Sequence, residues 1–226
     1  MFRKSIFALT LALTIALAGG AEARRQGQAR GEHQAGNFDY YVVSLSWSPT
    51  YCASAGQREG GAQCNGSRPY AFVLHGLWPQ YSRGWPQFCE TGSQPWVPEN
   101  TIGAMLDIMP SKKLIIHQYK KHGTCSGLSP EAYFDVSRKL YNSIKIPERY
   151  QLPEQTLQVS PGEVVGDFIK ANPELKPEMI AVSCGGRRLR ELRVCFGRDL
   201  KPQACAGNED SRKLCPSDNV VMPPVR

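Results

Sequence analysis

Cysteine content sets the strongest limit on what this chain can become. Cys52, Cys64, Cys89, Cys125, Cys184, Cys195, Cys205 and Cys215 form an even set in 226 residues. No pair of Cys-x-x-Cys motifs offers a structural zinc site in their place. Such a set implies disulfides and an oxidising compartment. Counting leaves the connectivity open, although the Cys52 to Cys64 interval suits a local bridge.

The N-terminus points to the same compartment. Met1, Phe2, Arg3 and Lys4 make a positive start, residues 5–18 an apolar run, and Ala21-Glu22-Ala23 a small-residue cleavage site. That is the layout of a secretory signal peptide over residues 1–23, and secreted or periplasmic localisation follows. The apolar run is shorter than the roughly 20 residues of a spanning helix, so no membrane anchor is expected. Residues 24–36 lack apolar periodicity and read as a flexible leader with no core to join, with His33 solvated. The remainder, 37–226, is expected to form a single domain and a monomer. Its 41% hydrophobic and 21% charged composition excludes disorder and collagen-like repetition. The formal charge of +7 is spread along the chain and favours an anionic partner.

Local patterns give a coarse architecture. Phe38 to Trp47 alternates as a buried strand ended by Ser48-Pro49, and 56–68 reads as a loop. Tyr70 to Leu74 reads as a short strand delivering His75 to a turn at Gly76 and Pro79. Gln118 to Lys121 reads as a helix ended by Gly123. Ser129-Pro130-Glu131 opens a helix with Tyr133, Phe134, Leu140, Tyr141 and Ile144 on its apolar face. Ser160 to Glu163 is a capping box, and Asn172-Pro173 stops the helix that follows. Met179 to Cys184 and Leu189 to Phe196 read as strands joined across Gly185-Gly186. Strands at both ends and helices between them predict an α+β fold, an antiparallel central sheet with clustered helices.

The chemistry lies in the histidines. His75 sits in Phe-Val-Leu-His-Gly-Leu-Trp-Pro, and His117 and His122 in His-Gln-Tyr-Lys-Lys-His-Gly-Thr-Cys. On an α-helix, His117 and His122 would lie about 140° apart, so one helix would not aim both at one metal ion. A zinc-dependent hydrolase is therefore disfavoured, and neither a metal nor another cofactor is expected. Two imidazoles and a lysine without a metal suit acid–base phosphoryl transfer, one ring removing a proton while the other protonates the leaving oxygen. The lysine offsets charge on the pentacoordinate phosphorus. RNA supplies its own nucleophile in the 2′-hydroxyl.

His75-Gly76-Leu77-Trp78-Pro79 and Lys121-His122-Gly123-Thr124-Cys125 resemble the two active-site segments of the ribonuclease T2 family, in the expected order. The resemblance covers Phe38 to about Cys215. It implies metal-independent endoribonuclease action through a 2′,3′-cyclic phosphate to a 3′-phosphate, with RNA as partner and little base preference. By position, His122 would be the general base, His75 the general acid, His117 a phosphate-binding histidine and Lys121 the transition-state cation. Where the family has Glu this chain has Gln118, and where it has Trp this chain has Tyr119. An amide can donate a hydrogen bond but neither ionises nor lends negative charge. Retained but altered activity is expected; a secreted RNA-binding or cytotoxic homologue with weak or no turnover is the alternative.

Substrate contacts implied by the same resemblance are Trp78 for stacking, Gln80 and Tyr81 for the first base, and Pro110 and Ser111 near the second base. It also implies the bridges Cys52–Cys64, Cys89–Cys125, Cys184–Cys215 and Cys195–Cys205. Arg187, Arg188, Arg190 and Arg193 read either as a phosphate-binding stripe or as the solvated face of a hairpin.

Overall fold

The computed structural model describes residues 33–56 and 61–226. The signal peptide expected over 1–23 and leader residues 24–32 lie outside the described residues. The described chain is an α+β fold built on strands β1 (Tyr40–Trp47), β2 (Phe72–Gln80), β3 (Leu157–Val159), β4 (Ile180–Gly185), β5 (Arg188–Gly197) and β6 (Val220–Met222). Antiparallel pairing in the order β2-β1-β5-β4 forms the centre. Strand β6 meets the start of β5 in parallel at Arg188 and Val221, and pairs antiparallel with β3.

Alternation along β1 gives the sheet two unlike faces. Tyr41, Val43, Leu45 and Trp47 point into the main core, level with Leu74 and Leu77 of β2 and Leu192 and Val194 of β5. Tyr133, Phe134 and Leu140 from the helix Pro130–Ser143, and Val164 and Phe168 from the helix Pro161–Ala171, complete that core. Val42, Ser44 and Ser46 point the other way, level with Cys195, Arg193 and Glu191 of β5. Buried polar residues on one side of a core sheet need partners, and this second face carries the site.

The second strand differs from the sequence reading. It does not turn after His75 but continues to Gln80, with Pro79 tolerated because β2 is an edge strand. Ser44 pairs with Gly76 and Leu45 with Leu74, so His75 is the extra residue of a β-bulge. A bulge breaks the ladder locally and re-aims a side chain. A second bulge lies between β4 and β5, where Ser183 pairs with Glu191 and Cys184 with Leu189, leaving Arg190 extra.

The histidine helix differs too. It starts at Lys112, capped by Ser111 Oγ accepting from the Leu114 N–H, and runs as α-helix to Gln118. Tyr119–Gly123 then forms a wider π-helical turn, followed by Thr124–Ser126. The chain stops at Gly127 in the left-handed region (φ 75°), not at Gly123. Gly123 is required for packing: a Cβ there would lie 2.4 Å from Tyr119 Cδ2. The helices at 130–143 and 161–171 keep their expected N-caps, with Ser129 accepting from Ala132 and Ser160 and Glu163 closing a capping box. Helices Gly61–Asn65 and Glu99–Met105, and the short strands β3 and β6, are additions to the sequence reading.

Cys52 pairs with Cys64, Cys89 with Cys125, Cys184 with Cys215 and Cys195 with Cys205. Residues 33–36, read as leader, are tied to the domain by backbone bonding that needs no apolar pattern. Gln34 bridges Glu90, the Gly36 N–H donates to the Cys125 carbonyl, and His33 Nδ1 accepts from the Gln87 N–H.

Candidate active site

Three segments meet on the polar face of the sheet. The bulge on β2 presents His75, and Trp78 follows on the same strand. The π-helical turn presents Lys121 and His122, with His117 one turn earlier. The 140° separation expected of His117 and His122 holds for 3.6 residues per turn and does not carry over to the wider turn between them; the charge of His117 is felt at His122. The His75 ring lies 5.3 Å from Trp78, and Trp78 lies 5.5 Å from His122 at a shallow 30° tilt. Both imidazoles therefore pack against one indole.

Their environments are unequal. His122 is buried, and its Nδ1 has no hydrogen-bond partner among the described residues. Burial, with the charges of Lys121, His75 and His117, pushes its pKa down to about 3, so its ring is held neutral. His117 is exposed and shifted down by partial burial, then by Lys121 and His75. Phe88, with an unusual positive φ of 50°, sets its exposed ring 6.4 Å from His117. The Phe88 N–H donates to the Lys121 carbonyl, and the adjacent Cys89 is bonded to Cys125.

His75, by contrast, has a carboxylate. Its Nδ1 lies 2.7 Å from Glu191 Oε1, and Arg193 donates to the other oxygen, Oε2, from Nε (3.1 Å) and Nη2 (2.8 Å). Burial alone would raise the Glu191 pKa; the hydrogen bond and charge of His75, with Arg193, outweigh it and hold the group at about 2. Arg193 also lies 5.0 Å over the Trp78 ring and 3.9 Å from Glu209, which receives the Tyr40 hydroxyl. Glu191 and Glu209 were not singled out from the sequence. Among the described residues, no group of three or more His, Cys, Asp or Glu is arranged to hold a metal ion.

Residues 38–205 match the Ribonuclease T2 family. The chain belongs to the ribonuclease T2 family. A ribonuclease of Aeromonas hydrophila is 34% identical over 197 residues, covering 84% of this chain and 85% of that one. A probable ribonuclease of Haemophilus influenzae is 29% identical over 187 residues, covering 77% of this chain and 64% of that longer one. In three dimensions, an RNase-related protein from Calystegia sepium superposes with a TM-score of 0.66 at 22% identity, over 84% of this chain and 98% of that one. Membership makes the chain a ribonuclease.

In this T2 ribonuclease, Gln118 has structural work. It is buried, and its Oε1 accepts from Trp78 Nε1 at 2.8 Å. Gly76 allows that contact, because a Cβ there would fall 2.0 Å from the same oxygen. Tyr119 donates to the Leu128 carbonyl and packs beside Tyr133, which makes it scaffold.

The expected base contacts separate. Gln80 is buried and its amide oxygen accepts from Asn208, so it anchors a loop instead of presenting an amide to a base. Tyr81 is half-buried against the core, and Pro110 is buried. Ser111 caps its helix and also lines a cleft that opens at His75. The arginine stripe divides: Arg193 is drawn into the carboxylate network, while Arg187, Arg188 and Arg190 line that cleft.

Proposed function

We propose that this chain is a metal-independent endoribonuclease cleaving RNA by transphosphorylation to 2′,3′-cyclic phosphates and then to 3′-phosphates, with low base specificity. The observation that carries this reading is the unlike pair of imidazoles packed against one indole, Trp78. A ring kept neutral by burial has a lone pair to accept a proton, and a ring bonded to a buried carboxylate is oriented to deliver one.

His122 takes the proton of the 2′-hydroxyl as its oxygen attacks phosphorus. The bond from phosphorus to the 5′-oxygen breaks, and His75 gives that oxygen its proton. Because an ionised carboxylate only accepts, Glu191 fixes the proton of His75 on Nδ1 and turns Nε2 outward. Lys121 carries the positive charge that a pentacoordinate phosphorane needs, and His117 binds the phosphate through its ring N–H. In the second step His75 takes a proton from water as its oxygen attacks phosphorus, the bond from phosphorus to the 2′-oxygen breaks, and His122 returns a proton to that oxygen, leaving a 3′-phosphate. Trp78 is buried, with Arg193 over its ring and His122 packed beside it, so we assign it to holding the imidazoles in place and not to the base stacking expected of it.

Gln118 bears on competence. Its amide holds the indole that both imidazoles pack against, which supports retained turnover over a binding-only descendant. The four disulfides and the basic, apolar N-terminus support a secreted or periplasmic location. No helix among the described residues is long and apolar enough to cross a membrane.

The test is cleavage of homopolymer RNA in excess EDTA from acidic to neutral pH, with the product termini identified. Cyclic phosphate followed by 3′-phosphate is expected. Products bearing 5′-phosphates, or loss of cleavage in chelator, would overturn the mechanism. RNA binding without any cyclic product would identify a non-catalytic homologue.

A further inference from the structure

A cleft of about 790 Å³ opens beside His75 and runs away from Trp78, Lys121 and His122, none of which lines it. Its walls carry Arg187, Arg188 and Arg190 from the β4–β5 hairpin, facing Ser111 across the opening. All three arginines are exposed, and none forms an ion pair with another described residue. The one carboxylate in the lining, Glu191, is already matched: His75 takes one oxygen and Arg193 the other. The cleft therefore presents net positive charge.

The arginines stand on a constrained backbone. Gly186 makes the turn at φ 59°, and Cys184, two residues earlier, is bonded to Cys215. The Val221 N–H donates to the Arg187 carbonyl, which ties the hairpin to β6. Arg190 is the bulged residue of β5, and its Cδ lies where a Cβ on Gly185 would come within 2.8 Å, so the side chain runs along the hairpin. A row of guanidiniums on a fixed backbone offers paired N–H donors to successive phosphates.

Direction comes from the chemistry, and the inference rests on the function proposed above. If His75 protonates the departing 5′-oxygen, the chain attached to that oxygen continues past His75. The cleft lies on that side. We propose that it binds the RNA strand 3′ to the scissile bond over more than one nucleotide, with Arg187, Arg188 and Arg190 gripping its phosphates. The enzyme is then a reader of downstream chain length, favouring polymer over dinucleotide.

The test uses oligonucleotides with a single ribonucleotide in a deoxy background, so that one bond is cleavable, extended by one to four nucleotides on the 3′ side or on the 5′ side. For the wild type, kcat/KM is expected to rise about tenfold on 3′ extension, with a smaller rise on 5′ extension. In the variant R187Q/R188Q/R190Q the 3′ gain is expected to collapse to under about threefold. The salt dependence of affinity for an all-deoxy 3′-extended strand, which binds without being cleaved, should weaken by about 2 in the log–log slope, at about 0.7 per phosphate contact. Equal gains on both sides in the wild type, or a variant that keeps its 3′ gain and its salt slope, would overturn the subsite. Cleavage of the shortest substrate reports separately on the reaction itself. If that cleavage fails, the salt slope of the all-deoxy strand still decides the cleft.

Discussion

His75 Nδ1 and Glu191 Oε1 lie 2.7 Å apart although 116 positions separate them in the chain. The pairing of β5 with β1, next to β2, makes that contact, and Arg193 completes it from the other carboxylate oxygen. Glu191 is therefore a positioning residue for the proposed general acid. The variant Glu191→Gln keeps the shape and removes the charge. A fall in kcat of about 10-fold to 100-fold is expected, with KM nearly constant. A structural role alone would not separate the two constants in this way. Full kcat in the variant would reduce Glu191 to scaffold.

Substitutions at position 118 separate shape from charge. Gln118→Leu leaves the Trp78 N–H buried without an acceptor and should cost about 1–3 kcal/mol, read as a lower midpoint in urea. Gln118→Glu keeps an oxygen for that N–H and adds a negative charge near His122. The acid limb of the activity profile, which reports the base, should then move to higher pH.

Stability should decline on acidification across a defined window. The unfolded His122 binds a proton below about 6.5, whereas the folded ring stays neutral down to about 3. Between those values the unfolded chain holds more protons, so stability falls as pH falls. Glu191 adds to the trend lower down, since its contribution is present above the ordinary carboxylate value of 4.5 and is lost as pH falls toward about 2. Thermal unfolding from pH 7 to pH 3 measures this, and His122→Leu should flatten the upper part of the curve.

Breaking the Cys89–Cys125 bridge should affect both stability and rate. It closes a span of 36 residues, and its removal as Cys89→Ala with Cys125→Ala is expected to cost about 2–4 kcal/mol. Phe88 would also loosen from the Lys121 carbonyl and from His117, so kcat should fall even well below the new melting point. Denaturant titration and kinetics on the same preparation distinguish the two effects.

The parts of the site that are local in the chain can be read from it. His75 with Trp78, and Lys121 with His122, stand within two pentapeptides whose residue types already indicate acid–base chemistry. Glu191 and Arg193 are not legible that way, because strand pairing alone brings them to His75, and on paper Arg193 looks like its neighbours Arg187, Arg188 and Arg190. The π-turn at Tyr119–Gly123 was hidden because helical spacing was read at 3.6 residues per turn. Gln80 misled by adjacency: lying two residues after Trp78, it shares the strand but is spent on Asn208. Among the helices, those with explicit caps at Ser129 and Ser160 were legible, whereas Glu99–Met105 has no side-chain cap to announce it.

The bulge at position 75 has one more consequence. Leu74 and Leu77 face the core and Gly76 faces away from it, so the strand would alternate without interruption if residue 75 were deleted. The proposed proton donor is thus supernumerary to the ladder, a single inserted letter in a strand already complete. A chain lacking His75 is expected to fold with the far-UV circular dichroism of the parent and to cleave nothing. Architecture and reactivity are spelled by separable residues here, and the same sheet would stand as a silent scaffold with one amino acid fewer.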